Sequence, residues 1–408
     1  MTDTAMIPLS VPPMGKELHF WRPDDDLYLS RSERKRETGE YYSAIPARIA
    51  DVLFDIPSDI SANLEESARA LGELDAYAAA RFGSKSRVIG PMSSILLRTE
   101  STSSSQIENL TVGAKNLALQ ELGEGTGGNA AVVVGNVRAM ESALALSEDL
   151  SERNLLMMHD ALLSAQPGWK LYAGRFRTQL VWVGGSSFGP VHARHVGPQS
   201  DLVEPLIRDM LDFLRRDDIP VVMQCAVAHA QFETIHPFVD GNGRVGRALV
   251  HAILRHKELV RNVTPPVSAG LLTDTERYFN ALMEYRSGDA RPIVECFAYA
   301  CRYAATTGIE LIDRLTEQLT VSRNALKGIR QDAAAWNVLP ALIEQPIINQ
   351  EYVVSHFGMS PMTARRAIGT LADRGVLTQI KGGRRNTVWA HRGILHVLDE
   401  YAAQLRRR

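Results

Sequence analysis

The twelve residues His236-Pro237-Phe238-Val239-Asp240-Gly241-Asn242-Gly243-Arg244-Val245-Gly246-Arg247 decide how the rest of the chain is read. They place a titratable base, a carboxylate, a glycine-framed turn and two guanidiniums within reach of one ligand. Upstream, Val222 to Ile235 is Pro-free and rich in Ala, Val and Gln, which predicts a helix buried on one face. Pro237 ends that helix and predicts extended backbone at His236. Asp240-Gly241-Asn242-Gly243 is turn chemistry: glycine tolerates positive φ and has no Cβ to block a ligand. From Arg247 to Glu258 a helical pattern resumes through Ala248, Leu249, Ile253 and Leu254. A turn that opens a helix presents backbone N–H groups carrying partial positive charge, a setting suited to phosphate. The local architecture is helix, anion nest, helix.

Gly241, Gly243 and Gly246 also spell G-x-G-x-x-G. A dinucleotide-binding turn needs a preceding strand within a βαβ unit, whereas here a helix and His-Pro lead in, so that reading is rejected. No G-x-x-x-x-G-K-[ST] loop occurs either, which leaves this turn and its arginines to hold the phosphates. The segment resembles the signature loop of the Fic (filamentation-induced-by-cAMP) family, His-x-Phe-x-Asp/Glu-Gly-Asn-Gly-x-x-x-Arg, with every fixed position filled. The resemblance implies an all-α core with a small β-hairpin flap, and transfer of AMP from ATP to a hydroxyl of a target protein.

Each residue of the loop then has an expected role. Nucleotidyl transfer needs a base near the attacking hydroxyl, and histidine titrates nearest neutrality, so His236 is the candidate catalytic base. Asp240 is the candidate Mg²⁺ ligand, since one carboxylate plus phosphates and waters makes an ordinary Mg²⁺ shell; as a bare helix cap it would look the same. Asn242 and the N–H groups of Gly241 and Gly243 are expected to cradle the α- and β-phosphates. Arg244 and Arg247 offer forked donors to phosphate oxygens. Phe238 reads as a core anchor.

Far upstream, Ser104, Glu108 and Asn109 lie in an amphipathic run, Ser93 to Leu122, with Ile107, Leu110, Leu117 and Leu119. They resemble the family's inhibitory helix, Ser/Thr-x-x-x-Glu-Gly/Asn, and place the chain with the class whose inhibitory helix precedes the core. The resemblance implies that Glu108 pairs with Arg247, taking the guanidinium that would orient the γ-phosphate. Gly174 to Ser186 alternates like a strand, ends in glycines and looks like the family's flap. A free strand edge there could pair with an extended loop of a target protein; an ordinary hairpin shielding the core is the plainer reading. Tyr278 and Asn280 fall where family members enclose the adenine and ribose, though aromatics at helical spacing are more often core.

The last stretch differs in charge. Glu351 to Arg408 holds ten Lys/Arg against four Asp/Glu, a net +6 in a chain whose total is −2. Ile348 to Phe357 reads as a helix, Gly358-Met359-Ser360 as a turn with a capping Ser, and Pro361 to Arg374 as a second helix with Pro at its first position. Gly375 to Ile380 and Thr387 to Ala390 read as strands around the basic tip Lys381-Gly382-Gly383-Arg384-Arg385-Asn386. The whole looks like a winged helix-turn-helix. Thr363, Arg365 and Arg366 are then candidate base-edge contacts, and Lys381, Arg384 and Arg385 candidate phosphate contacts. Winged helices also serve as protein-binding modules.

At 408 residues the chain is long enough for two or three domains. Expected limits are a helical cap over 1–87 with a helix near Ile60 to Phe82, a Fic core over 88–303 with the inhibitory helix near 101–121, a helical connector over 304–335 and the winged domain over 336–408. Met1 to Trp21 lacks an export signal and no run approaches the roughly 18 apolar residues of a membrane span, so a soluble, cytoplasmic protein without a membrane partner is expected. Cys225, Cys296 and Cys301 have no metal-site spacing, and their odd number suits a reducing compartment. Together these readings describe a mainly α, autoinhibited protein adenylyltransferase using ATP and Mg²⁺, acting on a target protein or on itself. The alternatives are a DNA-binding regulator with a nucleotide-sensing core and a protein de-AMPylase; a homodimer stays open.

Overall fold

The computed structural model describes residues 9–82, 89–164, 166, 168–382 and 387–405. Its elements run β1 (Gly15–Trp21), α1 (Arg31–Arg36), β2 (Gly39–Ile45), α2 (Ser58–Phe82), α3 (Ile89–Ile107), α4 (Ala114–Glu121), α5 (Asn129–Ala145), α6 (Glu152–Leu163), β3 (Trp182–Val183), β4 (His195–Val196), α7 (Ser200–Leu214) and α8 (Val221–Ile235). They continue with α9 (Asn242–His256), α10 (Val267–Leu272), α11 (Thr275–Ser287), α12 (Arg291–Ala325), α13 (Ala335–Glu344), β5 (Ile347–Ile348), α14 (Gln350–Phe357), α15 (Pro361–Asp373), β6 (Thr378–Lys381), β7 (Val388–Ala390) and α16 (Arg392–Gln404). The chain is mainly helical. Among the described residues, no helix is long and apolar enough to cross a membrane.

The chain divides into two compact units, the first built from Met1–Ala68, Ala139–Leu259 and Thr275–Tyr299. Its centre is α8. Every residue from Val222 to Ile235 is buried, so this helix is enclosed on all sides rather than on one face. That follows from its composition: Val, Met, Ala and Phe leave no polar stripe, and its polar side chains find partners inside. Gln224 donates to the carbonyls of Phe213 and Arg216, and His229 meets the Tyr278 hydroxyl at 2.7 Å. Helix α9 packs against α8 and is itself buried from Arg244 to Leu254. A Cβ at Gly246 would stand 2.9 Å from the Phe232 ring, so glycine there permits the close approach. Phe213, Phe232, Phe238 and Phe297 are fully buried, each contributing about 1.5–3 kcal/mol.

The segment expected as a helical cap over 1–87 also carries strands. β1 and β2 form a seven-residue antiparallel ribbon, with Gly15 opposite Ile45 and Trp21 opposite Gly39. Trp21 packs edge-on to Trp182 of β3 at 5.6 Å and donates from Nε1 to the Phe188 carbonyl. The expected helix near Ile60 to Phe82 is present as α2. Of the flap over 174–186, only Trp182–Val183 is strand, paired with His195–Val196; Gly174, Gly184 and Gly185 adopt positive φ, which keeps the rest in turns.

The second unit comprises Arg69–Arg138, Val260–Asp274 and Ala300–Arg408. Its core collects Met92, Ile95 and Leu96 of α3, Leu311, Ile312, Leu315 and Leu319 of α12, Val338, Leu339, Leu342 and Ile343 of α13, and Ile368 and Leu371 of α15. The i, i+3, i+4 spacing on each helix makes the stripe that buries them. Helix α12 runs unbroken through 303 and 304, where the sequence suggested the start of a separate connector. β5, β7 and β6 form a three-stranded antiparallel sheet with β7 in the middle. The strand before α14 takes Ile347 and Ile348, so that helix starts at Gln350, capped by Asn349, rather than at Ile348.

The expected helix over 101–121 is two helices. Helix α3 stops at Ile107 because Asn109 adopts a left-handed conformation, φ 63°. The Asn109 N–H donates to the Gln106 carbonyl at 2.9 Å and the Leu110 N–H to the Ser105 carbonyl at 3.0 Å, the bond pair of a Schellman stop. Glu108 is therefore the capping residue of α3, and the chain restarts as α4 at Ala114.

Candidate functional site

The loop between α8 and α9 is fixed at three points. The first is His236, which caps α8 in the left-handed region, φ 51° and ψ 62°, its N–H donating to the Phe232 carbonyl at 2.8 Å. The extended geometry expected before Pro237 is not adopted. Tertiary bonds explain the difference: the buried Arg177 donates from Nε to the His236 carbonyl at 2.8 Å and from its amino groups to Gln179 at 3.0 Å, Pro198 at 2.7 Å and Ile235 at 3.4 Å. Its own N–H meets the Pro237 carbonyl at 3.0 Å. Arg286 adds a second cation at the same helix end, bonding the Glu233 carbonyl at 3.1 Å and the Thr234 hydroxyl at 3.4 Å. Two guanidiniums thus complement the negative end of the α8 dipole.

The second point is Phe238, stacked face to face on His159 with centroids 3.7 Å apart and the rings nearly parallel. His159 Nδ1 accepts from the Gly174 N–H at 3.2 Å, so the ring proton sits on Nε2 and donates to the Asp240 carbonyl at 3.1 Å. Asn242 closes the turn: Oδ1 accepts from the Phe238 N–H and Nδ2 donates to the Phe238 carbonyl, both at 2.8 Å. The third point is Asp240, whose carboxylate takes a 2.9 Å bond from Arg244 Nη2.

These bonds show what several of the expected site residues touch. Asn242 is buried, with both ends of its amide bonded to the Phe238 main chain, so it staples the loop. Arg244 is equally buried and bonds the carboxylate of Asp240, which precedes the helix N-cap, holding it in place. Tyr278 and Asn280 do not share a face. Tyr278 is buried with its hydroxyl on His229, whereas Asn280, about 200° round α11, is exposed. Arg247 is buried beside the Tyr278 hydroxyl and the His229 ring.

What the loop leaves available is the N-terminus of α9. Gly241 is its N-cap, with φ 79° and no side-chain cap, and the first-turn N–H groups have no partner within the helix. A Cβ at Gly241 would also stand 2.6 Å from Leu162 Cδ2, so two constraints require glycine. Gly243 lies in that first turn. The Asp240 side chain, 39% exposed, stands at the rim. One half-exposed carboxylate beside an uncapped helix start fits a Mg²⁺-bound phosphate chain, with the carboxylate holding the metal and the N–H groups holding oxygens.

His236 Nδ1 faces the Glu233 carbonyl at 3.4 Å and its carboxylate at 3.7 Å, and its ring stands 6.5 Å from His195. Burial first, then the Arg286 and Arg177 charges, pull its pKa down to about 3. His236 is therefore neutral at physiological pH, the form that accepts a proton. Burial likewise pulls His159 down to about 4 and His229, together with Arg247, to about 3.

In the second unit, Ser104 is buried, Glu108 half-buried and Asn109 exposed. Thr363, Arg365 and Arg366 are exposed on the first turns of α15, whose Ser360 cap accepts the Thr363 N–H at 3.2 Å. Lys381 is engaged by Glu124 at 3.0 Å. Arg384 and Arg385 lie outside the described residues.

Arg177, Arg286 and His159 carry much of the geometry and were not singled out from the sequence. His159 left a signal: it occupies an apolar position in the α6 stripe Leu155, Met158, His159, Leu162. Arg177 left only its place between Phe176 and an apolar run.

This arrangement matches known proteins over one segment. Residues 149–254 match the Fic/DOC family model. This chain is also 34% identical over 155 residues to protein adenylyltransferase fic-1 of Caenorhabditis elegans, a match covering 37% of this chain and 27% of that protein. With the probable protein adenylyltransferase aq_aa38 of Aquifex aeolicus it shares 34% identity over 142 residues, 35% of this chain and 38% of the relative. The chain thus spans well under half the length of these relatives. A Fic family protein from Desulfovibrio desulfuricans G20 has a similar fold, with TM-score 0.52 and 22% identity over 82% of this chain and 96% of that one.

Proposed function

We propose that the Fic segment is a protein adenylyltransferase that moves AMP from ATP to a hydroxyl side chain of a target protein or of the chain itself. The observation that carries this reading is a neutral, half-buried histidine, His236, on a loop whose other end is the uncapped start of α9 with Asp240 at its rim. The matched relatives are named protein adenylyltransferases, which supports the same chemistry.

In this mechanism His236 accepts the hydroxyl proton as the oxygen attacks the α-phosphorus. The new P–O bond forms while the bond to the β-phosphate oxygen breaks, and pyrophosphate leaves. The N–H groups of Gly243 and its neighbours hold phosphate oxygens as charge develops on them, already oriented before the substrate arrives. Asp240 would hold Mg²⁺, which neutralises phosphate charge when bound, and Arg244 keeps that carboxylate in place. Arg177 and Arg286 are positioning residues. They hold the α8 carboxyl end, and their charges add to the effect of burial on His236.

Regulation follows the inhibitory reading of Ser104, Glu108 and Asn109, in which Glu108 competes for Arg247. The left-handed stop at Asn109 supports it by making Glu108 the C-cap of α3, a position with a defined direction. Helices α14 and α15 with the β6–β7 hairpin support a winged-helix reading and a DNA partner. The exposed Arg365 and Arg366 favour this over a purely structural module.

Incorporation of labelled AMP by wild type, Glu108→Gly, Arg247→Ala and the double variant tests the whole reading. Glu108→Gly should raise self-modification, while Arg247→Ala and the double variant should both be slow, because releasing a lock cannot help a site that has lost its clamp. Equal rates for wild type and Glu108→Gly would remove the lock. No transfer by any of the four would remove the activity and favour a nucleotide sensor.

A further inference from the structure

The glycine-rich loop after α4 makes contacts that neither AMP transfer nor the inhibitory reading uses. Gly123, Gly127 and Gly128 adopt positive φ, and Gln120 Oε1 accepts the Gly127 N–H at 3.0 Å, so the loop folds back on the helix it follows. The Glu124 N–H donates to the Leu119 carbonyl at 2.9 Å. From that anchored position the Glu124 carboxylate reaches Lys381 on β6, Nζ to Oε2 3.0 Å, with Glu124 only 21% exposed. The same carboxylate lines a cleft with Gln350, Glu351, Arg365, Thr387 and Trp389, between the start of α15 and the middle strand β7. In a winged helix that cleft is the side from which a duplex would approach the second helix and the hairpin together.

The loop is held there by more than one ion pair. Helix α4 is seated on the sheet and on α16. Gln345 Nε2 donates to the Ala118 carbonyl at 2.9 Å, the Ala114 N–H donates to Asp399 at 3.2 Å, and Ala118 packs among Ile347, Val388, Ala390 and Leu395. The acid is thus delivered to Lys381 by a packed element of the chain.

Resting on the winged-helix reading, we propose that Glu124 is a built-in competitor for nucleic-acid phosphate. Its carboxylate, which borders the cleft, occupies Lys381 of the hairpin, so duplex DNA engages that lysine only after the Glu124 loop withdraws. The contact lowers affinity without abolishing it, because an ion pair open to solvent is weak and a phosphate can displace it.

The test is binding of a non-specific DNA duplex of roughly two helical turns to the full chain across a salt series, for wild type, Glu124→Gln, Lys381→Ala and the double variant. Glu124→Gln should bind about three- to fivefold tighter, the scale of an exposed ion pair. Its log–log salt slope should steepen by about 0.9, one more phosphate neutralised. In the Lys381→Ala background the same change should gain little. If wild type and Glu124→Gln bind with equal affinity and slope, the competitor is overturned while the DNA reading stands. An equal gain in both backgrounds overturns it as well, showing only the loss of a negative charge. No binding by any of the four at low salt overturns the DNA reading itself.

Discussion

Asn242→Ala separates a loop staple from a phosphate ligand. The side chain makes two bonds of 2.8 Å to the main chain of Phe238, a residue with no exposure. Truncation removes both bonds and leaves a buried N–H and a buried carbonyl without them. With about 1 kcal/mol net per bond and a further penalty for each buried group left unpaired, the loss is about 3 kcal/mol, reduced where water enters the space. For a unit of roughly 200 residues that lowers the unfolding midpoint by about 6–12 °C. The assay is thermal unfolding with and without Mg-ATP, alongside isothermal titration of Mg-ATP. The expected result is a lower midpoint in the absence of nucleotide, with AMP transfer falling because His236 and Asp240 lose their fixed separation. An unchanged midpoint together with lost ATP binding would refute the reasoning and return Asn242 to the phosphate cradle.

His236→Ala should lower transfer by about 10²–10⁴-fold while ATP affinity stays close to wild type, read by single-turnover labelling and titration; near wild-type transfer would remove the base. Arg177→Lys should slow transfer at least tenfold without weakening ATP binding, since one ammonium cannot replace a fork that reaches four carbonyls; unchanged transfer would leave Arg177 a purely structural residue. Stability should fall in acid. His159 and His229 are buried neutral with pKa values of about 4 and about 3, so below the unfolded value of 6.5 the unfolded chain binds protons that the folded chain does not. Each group then removes about 1.4 kcal/mol per pH unit as pH falls from 6.5 toward its folded value, and adds nothing above it. Unfolding midpoints that stay level between pH 7.5 and 5 would contradict that burial. For Asp240→Ala the expected loss of transfer tracks metal dependence, and activity persisting in EDTA would exclude a Mg²⁺ role.

The mainly helical class and the helix–turn–helix course of the signature loop were legible because they rest on local rules: apolar periodicity, Pro237 as a stop, glycines at turns. The N-terminal ribbon was legible too and was passed over. Glu17-Leu18-His19-Phe20 alternates polar and apolar residues, a short period of two within a segment otherwise read for helices. The break at Asn109 was hidden in plain view, since the residue read as part of an inhibitory motif is also a good left-handed cap. The roles of Asn242 and Arg244 could not be read at all. An amide four residues after Phe238 and a guanidinium four residues after Asp240 are equally suited to a ligand or to the loop, and their bonds within the turn come only from its closed geometry. Arg177 and Arg286 act on α8 from distant segments, 50 or more residues away, beyond the reach of any local pattern.

The left-handed backbone of His236 sets selection for stability against selection for chemistry. A side chain with a Cβ loses about 1–2 kcal/mol in that conformation, which glycine adopts freely. A library varied at position 236 and sorted only for soluble, heat-resistant protein should therefore enrich glycine, and asparagine after it. Sorted for labelled product, the same library should return histidine.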